Sequence, residues 1–219
     1  MKGLQNMPEI NSKKGCFIVF EGIDGSGKST QIRLLKERLE KEGINFYSTC
    51  EPTDSPIGSL IHQIMTGRVL SDNKVVAALF VADRLDHLLN PTNGVYSKIM
   101  DGISVISDRY YFSSYAYHSV DMPMDWVITA NSQSAEILRP TITVFIDVNP
   151  DNALKRISKT RFHPELFETR ERLISVRKKY FEAFDKLKDS ENILIVDGEK
   201  EERILEAEIW EKIKVYFSF

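Results

Sequence analysis

Short apolar runs rich in β-branched and aromatic residues recur along the chain and alternate with helical patterns. Five such runs cover residues 16–21, 45–49, 103–107, 142–148 and 193–196. Continuous apolar strands of this kind are typical of a sheet that is buried on both faces. Because strands and helices alternate, the pattern predicts an α/β fold with a mostly parallel sheet and right-handed crossovers.

The first helical pattern directly follows the first apolar run. Ile32, Leu35 and Leu39 recur at i, i+3 and i+7, which places them on one helical face, and Gly43 is the expected C-cap. No repeat, low-complexity tract or Pro/Ser-rich linker divides the chain. We therefore expect a single domain over 15–219 behind a flexible lead-in over 1–14, with charge-dense residues 156–172 forming a small mobile lid.

Composition and charge argue against several kinds of partner and site. The 219 residues carry 29 basic and 32 acidic side chains, and the net charge of −3 gives no general reason to expect nucleic acid or a membrane as a partner. Cys16 and Cys50 lie outside any CxxC or Cys/His cluster, which argues against a disulfide framework or a zinc site. The longest apolar run, 75–82, is too short to span a bilayer, and the first 15 residues lack the apolar stretch of a signal peptide. These features favour a cytoplasmic protein.

The segment GIDGSGKS, residues 22–29, fits the pattern GxxxxGK[ST] at every fixed position and lies between a predicted strand and a predicted helix. Glycines let such a loop turn tightly and aim its N–H groups at phosphate oxygens, while the helix start adds positive partial charge. Lys28 is expected to reach the β- and γ-phosphates of a nucleotide, and the Ser29 hydroxyl to take a Mg²⁺ position. The expected ATP contacts are Gly22, Ile23, Asp24, Gly25, Ser26, Gly27, Lys28, Ser29 and Thr30.

Two other interpretations of this segment are weaker. The dinucleotide-binding pattern GxGxxG fails, because GSG (25–27) is followed by KST (28–30). A chance match is disfavoured by the strand–loop–helix context. The segment therefore predicts a nucleoside triphosphate site, but P-loops serve GTPases, motors, ATPases and small-molecule kinases alike, so the phosphoryl acceptor must be inferred from other residues.

Asp108 and Arg109 come at the end of the apolar run 103–107. A carboxylate at the carboxyl end of a strand beside the P-loop strand is suited to a metal-associated acid, and the adjacent arginine supplies a fixed cation. The alternatives are a helix N-cap for Asp108 and a surface ion pair for Arg109.

Phe80 and Arg84 are four residues apart in a helical pattern, so both can project to one side. An aromatic plane and a forked donor at this spacing could stack on a nucleobase and hydrogen-bond its edge. The alternative places Phe80 in the core and pairs Arg84 with Asp83 or Asp86.

Four segments occur in a characteristic order and spacing: FEGIDGSGKST, EPTDSPIG, LFVADRLDH and VISDRYYFSSYAYH. Together they resemble the thymidylate kinase family, and the resemblance covers nearly the whole chain from Phe17 to the last strand and helix. It implies a three-layer P-loop NTPase fold, with a five-stranded sheet flanked by helices and a small lid. It also implies transfer of the γ-phosphoryl group of ATP to dTMP, giving dTDP and ADP for dTTP biosynthesis, with Mg²⁺ as cofactor and a homodimer as the assembly.

The resemblance implies a role for each matching residue. Phe80 would stack on thymine, Arg84 would bond its O4 atom, and Arg109 would hold the dTMP phosphate. Asp108 would lie close to the metal with Ser29, and Asp24 would face the acceptor's 3′-hydroxyl or the Mg²⁺ shell. Tyr117 beside C2′ would disfavour a ribose. The implied catalytic residues are Lys28, Asp24, Asp108, Arg109 and Arg161, and the implied dTMP contacts are Asp24, Glu51, Phe80, Arg84, Arg109, Ser113, Ser114, Tyr117 and His118.

Three positions depart from the commonest family pattern. Many relatives have an arginine before "EP" as a second clamp on the acceptor phosphate, where this chain has Cys50; Arg68 is a candidate replacement. The family's frequent glutamine in "AYQ" is His118 here, which still donates and accepts hydrogen bonds. Some relatives carry a basic residue after Asp24. Because this chain has Gly25 there, the lid is expected to supply the catalytic arginine: Arg161 first, then Arg156 or Arg170.

Rival functions from two classes remain open on sequence. Within enzymes, the rival is a deoxyribonucleoside kinase or another nucleoside monophosphate kinase. A nucleoside kinase needs a carboxylate base for a hydroxyl acceptor, and Glu51 could be read in that role. A P-loop switch or assembly ATPase would instead use nucleotide-dependent partner binding. The chain lacks an NKxD guanine reader and a basic patch, and the ordered motifs favour the monophosphate kinase.

Overall fold

The computed structural model describes residues 14–160 and 169–217. All five predicted strands form, each within one or two residues of its expected bounds: β1 Phe17–Glu21, β2 Phe46–Cys50, β3 Ser104–Asp108, β4 Ile142–Asp147 and β5 Ile193–Asp197. They pair in the order β2-β3-β1-β4-β5, and every pair is parallel. The predicted α/β fold with a five-stranded parallel sheet is therefore confirmed.

Helices connect the strands and flank the sheet. Their bounds are α1 Lys28–Lys41, α2 Pro56–Met65, α3 Asn73–Leu89, α4 Val95–Met100, α5 Tyr111–His118, α6 Met124–Ala130, α7 Ser132–Ile137, α8 Pro150–Thr160, α9 Arg170–Leu187 and α10 Glu202–Ile213, followed by a 3-10 turn at Lys214–Tyr216. Among the described residues, no helix is both long and apolar enough to cross a membrane.

The sheet is buried at its centre and partly exposed at its edges. Strands β1, β3 and β4 are almost entirely buried, whereas β2 is mostly half-buried and β5 is half-buried or exposed except at Val196. The parallel register aligns Phe20 with Asp108 and Asp108 with Cys50, so the carboxyl ends of three strands lie at one edge. In such sheets, ligands bind at this carboxyl edge where the strand order reverses, which here is beside β1.

The C-cap of helix α1 lies one residue before the expected position. Glu42 is its C-cap, and Gly43 follows with a φ of +68°. Gly43 thus takes the first position after the cap, where the left-handed conformation favours glycine, and the prediction was off by one residue.

Helix α9 packs along α5, and aromatic rings connect it to α5 and to β4. Phe184 meets Phe112 of α5 at 5.1 Å and Phe145 of β4 at 5.0 Å between ring centroids. Such edge-to-face pairs add to area burial. The helix after the predicted lid is therefore fixed to the helix that follows Arg109. Residues 161–168 of that lid and residues 1–13 of the lead-in lie outside the described residues, and these two boundaries stay predictions.

Candidate active site

The phosphate-binding loop connects β1 to α1. Gly25 has a φ of +75°, and a Cβ there would lie 2.4 Å from the Ala153 carbonyl oxygen, so a side chain would clash with α8. Gly27, with a φ of +101°, is the residue that precedes α1. The loop therefore presents backbone N–H groups and a helix start to the same space, an arrangement that binds phosphate.

The Lys28 ammonium group is buried against this loop. Its Nζ donates hydrogen bonds to the carbonyl oxygens of Gly22 at 3.0 Å and Ile23 at 3.2 Å. Burial, and then the positive charge of Arg109, lower the pKa of Lys28 to about 8. Gly22 and Ile23 are thus buried supports for the lysine, whereas residues 24–30 line the adjoining cavity.

Ser29 and Asp108 come together from α1 and β3. The Ser29 hydroxyl donates a hydrogen bond to Asp108 Oδ2 at 3.2 Å, and Asp108 Oδ1 is buried with no hydrogen-bond partner among the described residues. Mg²⁺ in nucleotide sites takes one or two oxygen ligands from the protein and the rest from phosphates and water. The two side chains fit that requirement.

Arg109 adopts a φ of +73°, which is rare for a residue with a side chain. Its Nη2 donates to Asp24 Oδ1 at 2.5 Å, and its Nη1 donates to Ser113 Oγ at 3.0 Å. The guanidinium lies 5.0 Å from the centre of the Tyr117 ring, and the Tyr117 hydroxyl donates to Asp24 Oδ2 at 2.8 Å. Four predicted site residues therefore form one hydrogen-bonded cluster.

Two cavities meet at this cluster. The larger, of about 700 Å³, is lined by the phosphate-binding loop, Lys28 and Asp108, and we call it the donor cavity. The smaller, of about 210 Å³, contains Phe80, Tyr117 and His118, and we call it the acceptor cavity. The residues common to both are Asp24, Pro52, His62 and Arg109.

The acceptor cavity brings together most of the predicted dTMP contacts. Its lining includes Ser113, Ser114 and Tyr117 from α5 and Phe80 from α3, with Met65 from α2. The Phe80 and His118 rings lie 5.2 Å apart at an interplanar angle of 56°. The lining of the acceptor cavity therefore combines aromatic rings with hydroxyl groups.

His118 is buried in this wall. Burial, and then the nearby positive charge of Arg84, lower the pKa of His118 to about 3. The imidazole is therefore neutral near pH 7, where it keeps one donor and one acceptor nitrogen.

Arg84 is not among the residues that line either cavity. It is 1 % exposed and donates to Glu51 Oε2 at 2.8 Å, Ser114 Oγ at 3.0 Å and the Tyr110 carbonyl at 3.1 Å. It also donates to Asn131 Oδ1. The alternative pairing of Arg84 with Asp83 or Asp86 is wrong. The predicted contact with thymine O4 stays a prediction, and in this conformation Arg84 supports Ser114 from behind.

Glu51 lines the donor cavity but is bound on both oxygens. Besides Arg84, it contacts His87 Nδ1 at 3.0 Å. The same stretch of loop is held by Asp83, whose carboxylate accepts the Thr53 amide at 2.8 Å and the Ser55 hydroxyl at 2.9 Å. The ADRLDH segment therefore fixes the EPTDSP segment.

Cys50 and Arg68, the candidate replacement for the arginine that many relatives have at its position, lie in different places. Cys50 is exposed and lines that cavity, and partial burial followed by the charge of Asp108 raises its thiol pKa. Arg68 is exposed in the turn after α2 and is not among the residues that line either cavity. This conformation thus does not bring Arg68 to the Cys50 position.

The candidate lid arginines also differ. Arg156 lines the donor cavity and donates to the carbonyls of Ser26 at 3.3 Å and Gly198 at 2.9 Å. Arg170 is exposed and pairs with Asp151 at 2.5 Å. Arg161 lies outside the described residues.

Glu21, Asp83 and Tyr180 support the site but were not among the sequence candidates. Glu21 accepts the Tyr180 hydroxyl at 2.8 Å inside the core. A glutamate at the end of an otherwise apolar strand, directly before the phosphate-binding loop, was a signal that could have identified Glu21. Nothing local in the sequence marks Tyr180, which is 159 residues away from Glu21.

Comparison with known proteins agrees with this geometry. The family model described as thymidylate kinase matches residues 20–209. A probable thymidylate kinase of Methanosphaera stadtmanae is 35 % identical over 91 % of this chain and 98 % of its own length. A probable thymidylate kinase of Methanocaldococcus jannaschii is 36 % identical over 84 % of this chain and 87 % of its own. A thymidylate kinase of Leptospira borgpetersenii is 32 % identical over 86 % and 88 %, respectively. The chain belongs to the thymidylate kinase family.

Proposed function

We propose that this protein transfers the γ-phosphoryl group of ATP to the 5′-phosphate of dTMP, giving ADP and dTDP for dTTP synthesis. The observation that carries the proposal is the junction of the donor and acceptor cavities at Asp24 and Arg109, next to the buried Lys28. Family membership supports the identity of the two substrates.

On the donor side, the N–H groups of residues 24–30 and the Lys28 ammonium bind the ATP phosphates. The Ser29 hydroxyl and the Asp108 carboxylate, 3.2 Å apart, would hold Mg²⁺, which would supply positive charge beside the phosphates. Arg156 closes the far side of the donor cavity near Gly198.

On the acceptor side, Arg109 binds the dTMP phosphate and Phe80 stacks on thymine. Ser113, Ser114 and His118 provide polar groups around the sugar and base. Tyr117, which is fixed by its hydrogen bonds with Asp24, would disfavour a ribose 2′-hydroxyl beside it.

The chemical step is an in-line displacement. An oxygen of the dTMP phosphate forms a bond to the γ-phosphorus, while the bond from that phosphorus to the bridging oxygen of ADP breaks. The acceptor is already anionic, so the step needs positioning and charge neutralisation more than a base. We propose Arg161 as the lid arginine that supplies further positive charge, and lid closure as the means of excluding water.

The buried contacts of Glu51 weigh against a nucleoside kinase. A base for a hydroxyl acceptor needs a free carboxylate oxygen within reach of that hydroxyl. Glu51 uses one oxygen for Arg84 and the other for His87.

The test is a coupled ADP-release assay with ATP and Mg²⁺, in which dTMP, dUMP, dCMP, UMP and thymidine are added in turn. We expect strong ADP release with dTMP and little with the ribonucleotide or with ATP alone. Release with thymidine but not dTMP would assign the protein to nucleoside kinases. Slow hydrolysis that ignores every acceptor would indicate a switch ATPase.

We also propose that the protein acts as a homodimer in the cytoplasm. Val75, Ala78, Ala82 and Leu89 of α3 are exposed at spacings of three, four and seven residues, which places them in one stripe along the helix. Leu60 of the neighbouring α2 is exposed as well. An apolar stripe on helices outside the sheet suits the same stripe of a second copy.

A further inference from the structure

Glu21 is the last residue of β1 and is fully buried. Four donors surround its carboxylate: the amides of Tyr110 at 2.9 Å and Ser113 at 3.1 Å, and the hydroxyls of Ser113 at 2.6 Å and Tyr180 at 2.8 Å. A carboxylate accepts all four bonds, whereas a carboxylic acid would have to donate one. Burial raises the pKa of Glu21, and the charge of Arg109 and these hydrogen bonds oppose that rise. The two amides lie at the start of α5, where negative charge is favoured.

These bonds fix the backbone around Arg109. The Arg109 amide donates to the Phe20 carbonyl at 2.9 Å, its own carbonyl accepts the Ser107 hydroxyl at 2.8 Å, and the next amide is the one held by Glu21. A positive φ at a residue with a side chain is kept only where its surroundings over-determine it. Glu21 supplies the bond on the α5 side of this turn.

A second path leads from Glu21 to the Arg109 side chain. The Ser113 hydroxyl donates to Glu21 Oε2 and accepts Arg109 Nη1 at 3.0 Å. With its proton committed to Glu21, Ser113 presents a lone pair to the guanidinium. The orientation of the Arg109 guanidinium thus depends on Glu21 through the Ser113 hydroxyl.

We propose that Glu21 is a positioning residue for the acceptor phosphate, which holds both the backbone and the guanidinium of Arg109 in the orientation that receives dTMP. This inference rests on the proposed function, because it takes Arg109 as the acceptor-phosphate ligand. Glu21 itself does not line either cavity.

The experiment compares Glu21→Gln with Tyr180→Phe, using steady-state kinetics and direct calorimetric binding of dTMP and of ATP. Glutamine keeps the size but replaces one acceptor oxygen by a donor, so Ser113 must reverse its hydroxyl. We expect KM and Kd for dTMP to rise at least tenfold, with KM for ATP within twofold of the wild type. Tyr180→Phe removes one bond to the same carboxylate and the 3.0 Å contact between the Tyr180 and Ser113 hydroxyls, but it leaves both amide bonds and the bond from Ser113 to Glu21, so we expect a change below threefold.

Equal effects of Glu21→Gln on dTMP and ATP, or equal effects of the two variants, would mean that Glu21 only stabilises the core and would overturn the inference. Should Glu21→Gln not fold, Glu21→Asp is the second variant, because it keeps the carboxylate but moves it away from these donors by one methylene. The same selective loss of dTMP binding is expected, and unchanged dTMP binding would refute the inference. The wild-type measurements distinguish failure of the proposed function from failure of the role of Glu21. If wild type itself neither binds nor uses dTMP, the proposed function fails; if it does and the variants match it, only the role of Glu21 fails.

Discussion

At the scale of single residues, the most specific prediction concerns the catalytic rate after Lys28 is replaced. Its ammonium group is buried beside the phosphate-binding loop, held by two carbonyls. We expect Lys28→Ala to reduce kcat by at least about 10²–10³-fold, as for loss of an electrostatic transition-state donor. The fold should remain, because the hydrogen bonds lost are confined to two carbonyls of the phosphate-binding loop. Coupled assays and thermal unfolding measure the two effects.

Lys41→Ala is the matched control. Lys41 lies at the other end of α1 and is exposed, so its loss should leave kcat within twofold. If Lys28→Ala kept most of the activity, the assignment of Lys28 to the transferring phosphates would be wrong.

His118 gives a pH dependence whose sign follows from its burial. Its pKa of about 3 lies below the unfolded value of about 6.5, so the unfolded state binds more protons between these values. This group therefore makes stability fall as pH drops from 6.5 towards 3, by up to about 1.4 kcal/mol per pH unit. We call this loss of unfolding free energy at low pH the acid limb. His118→Gln should make it less steep in denaturant titrations at pH 7, 6 and 5.

His62→Gln serves as the comparison, since His62 is exposed on α2. Its acid limb should match that of the wild type. An acid limb that is equally steep in His118→Gln would show that His118 is protonated in the folded protein as readily as in the unfolded chain.

At the scale of elements, α3 holds the loop between β2 and α2 in place through hydrogen bonds. Asp83 accepts the Thr53 amide and the hydroxyls of Thr53 and Ser55, all within 2.9 Å. Pro52 of this loop lines both cavities. The position of this loop therefore depends on a carboxylate from α3. Because Pro52 lines both cavities, the shape of the place where they meet depends on the same carboxylate.

We expect Asp83→Asn to cost about 1–3 kcal/mol of unfolding free energy, because a donor replaces one acceptor oxygen opposite buried donors. The melting temperature should fall by about 2–4 °C per kcal/mol, and KM for dTMP should rise several-fold. Asp86→Asn, one turn away and half-buried, is the control and should change neither by much. Equal stability of the two variants would show that the Asp83 bonds contribute nothing net.

At the scale of the whole molecule, the sequence predicts what local pattern controls. The five strands were recognisable because each is a continuous run, and the phosphate-binding loop because its spacing is fixed by glycine geometry. The partners of Arg84 were not, because Glu51 and Asn131 lie 33 and 47 residues away and meet it only after the sheet orders its helices. The same holds for Glu21, whose role depends on a turn 89 residues downstream.

Assembly provides the last prediction. The stripe of Val75, Ala78, Ala82 and Leu89 is apolar and exposed on α3, and we expect it to pack against its copy in a second chain. Ala82→Glu places like charges opposite each other at the centre of that contact, so the mass measured by light scattering should shift from dimer to monomer at micromolar concentration. Ile204→Glu, which alters an exposed apolar residue of α10, should leave the dimer intact. A wild-type protein that is already monomeric, or a dimer that survives Ala82→Glu but not Ile204→Glu, would exclude the α3 stripe as the interface.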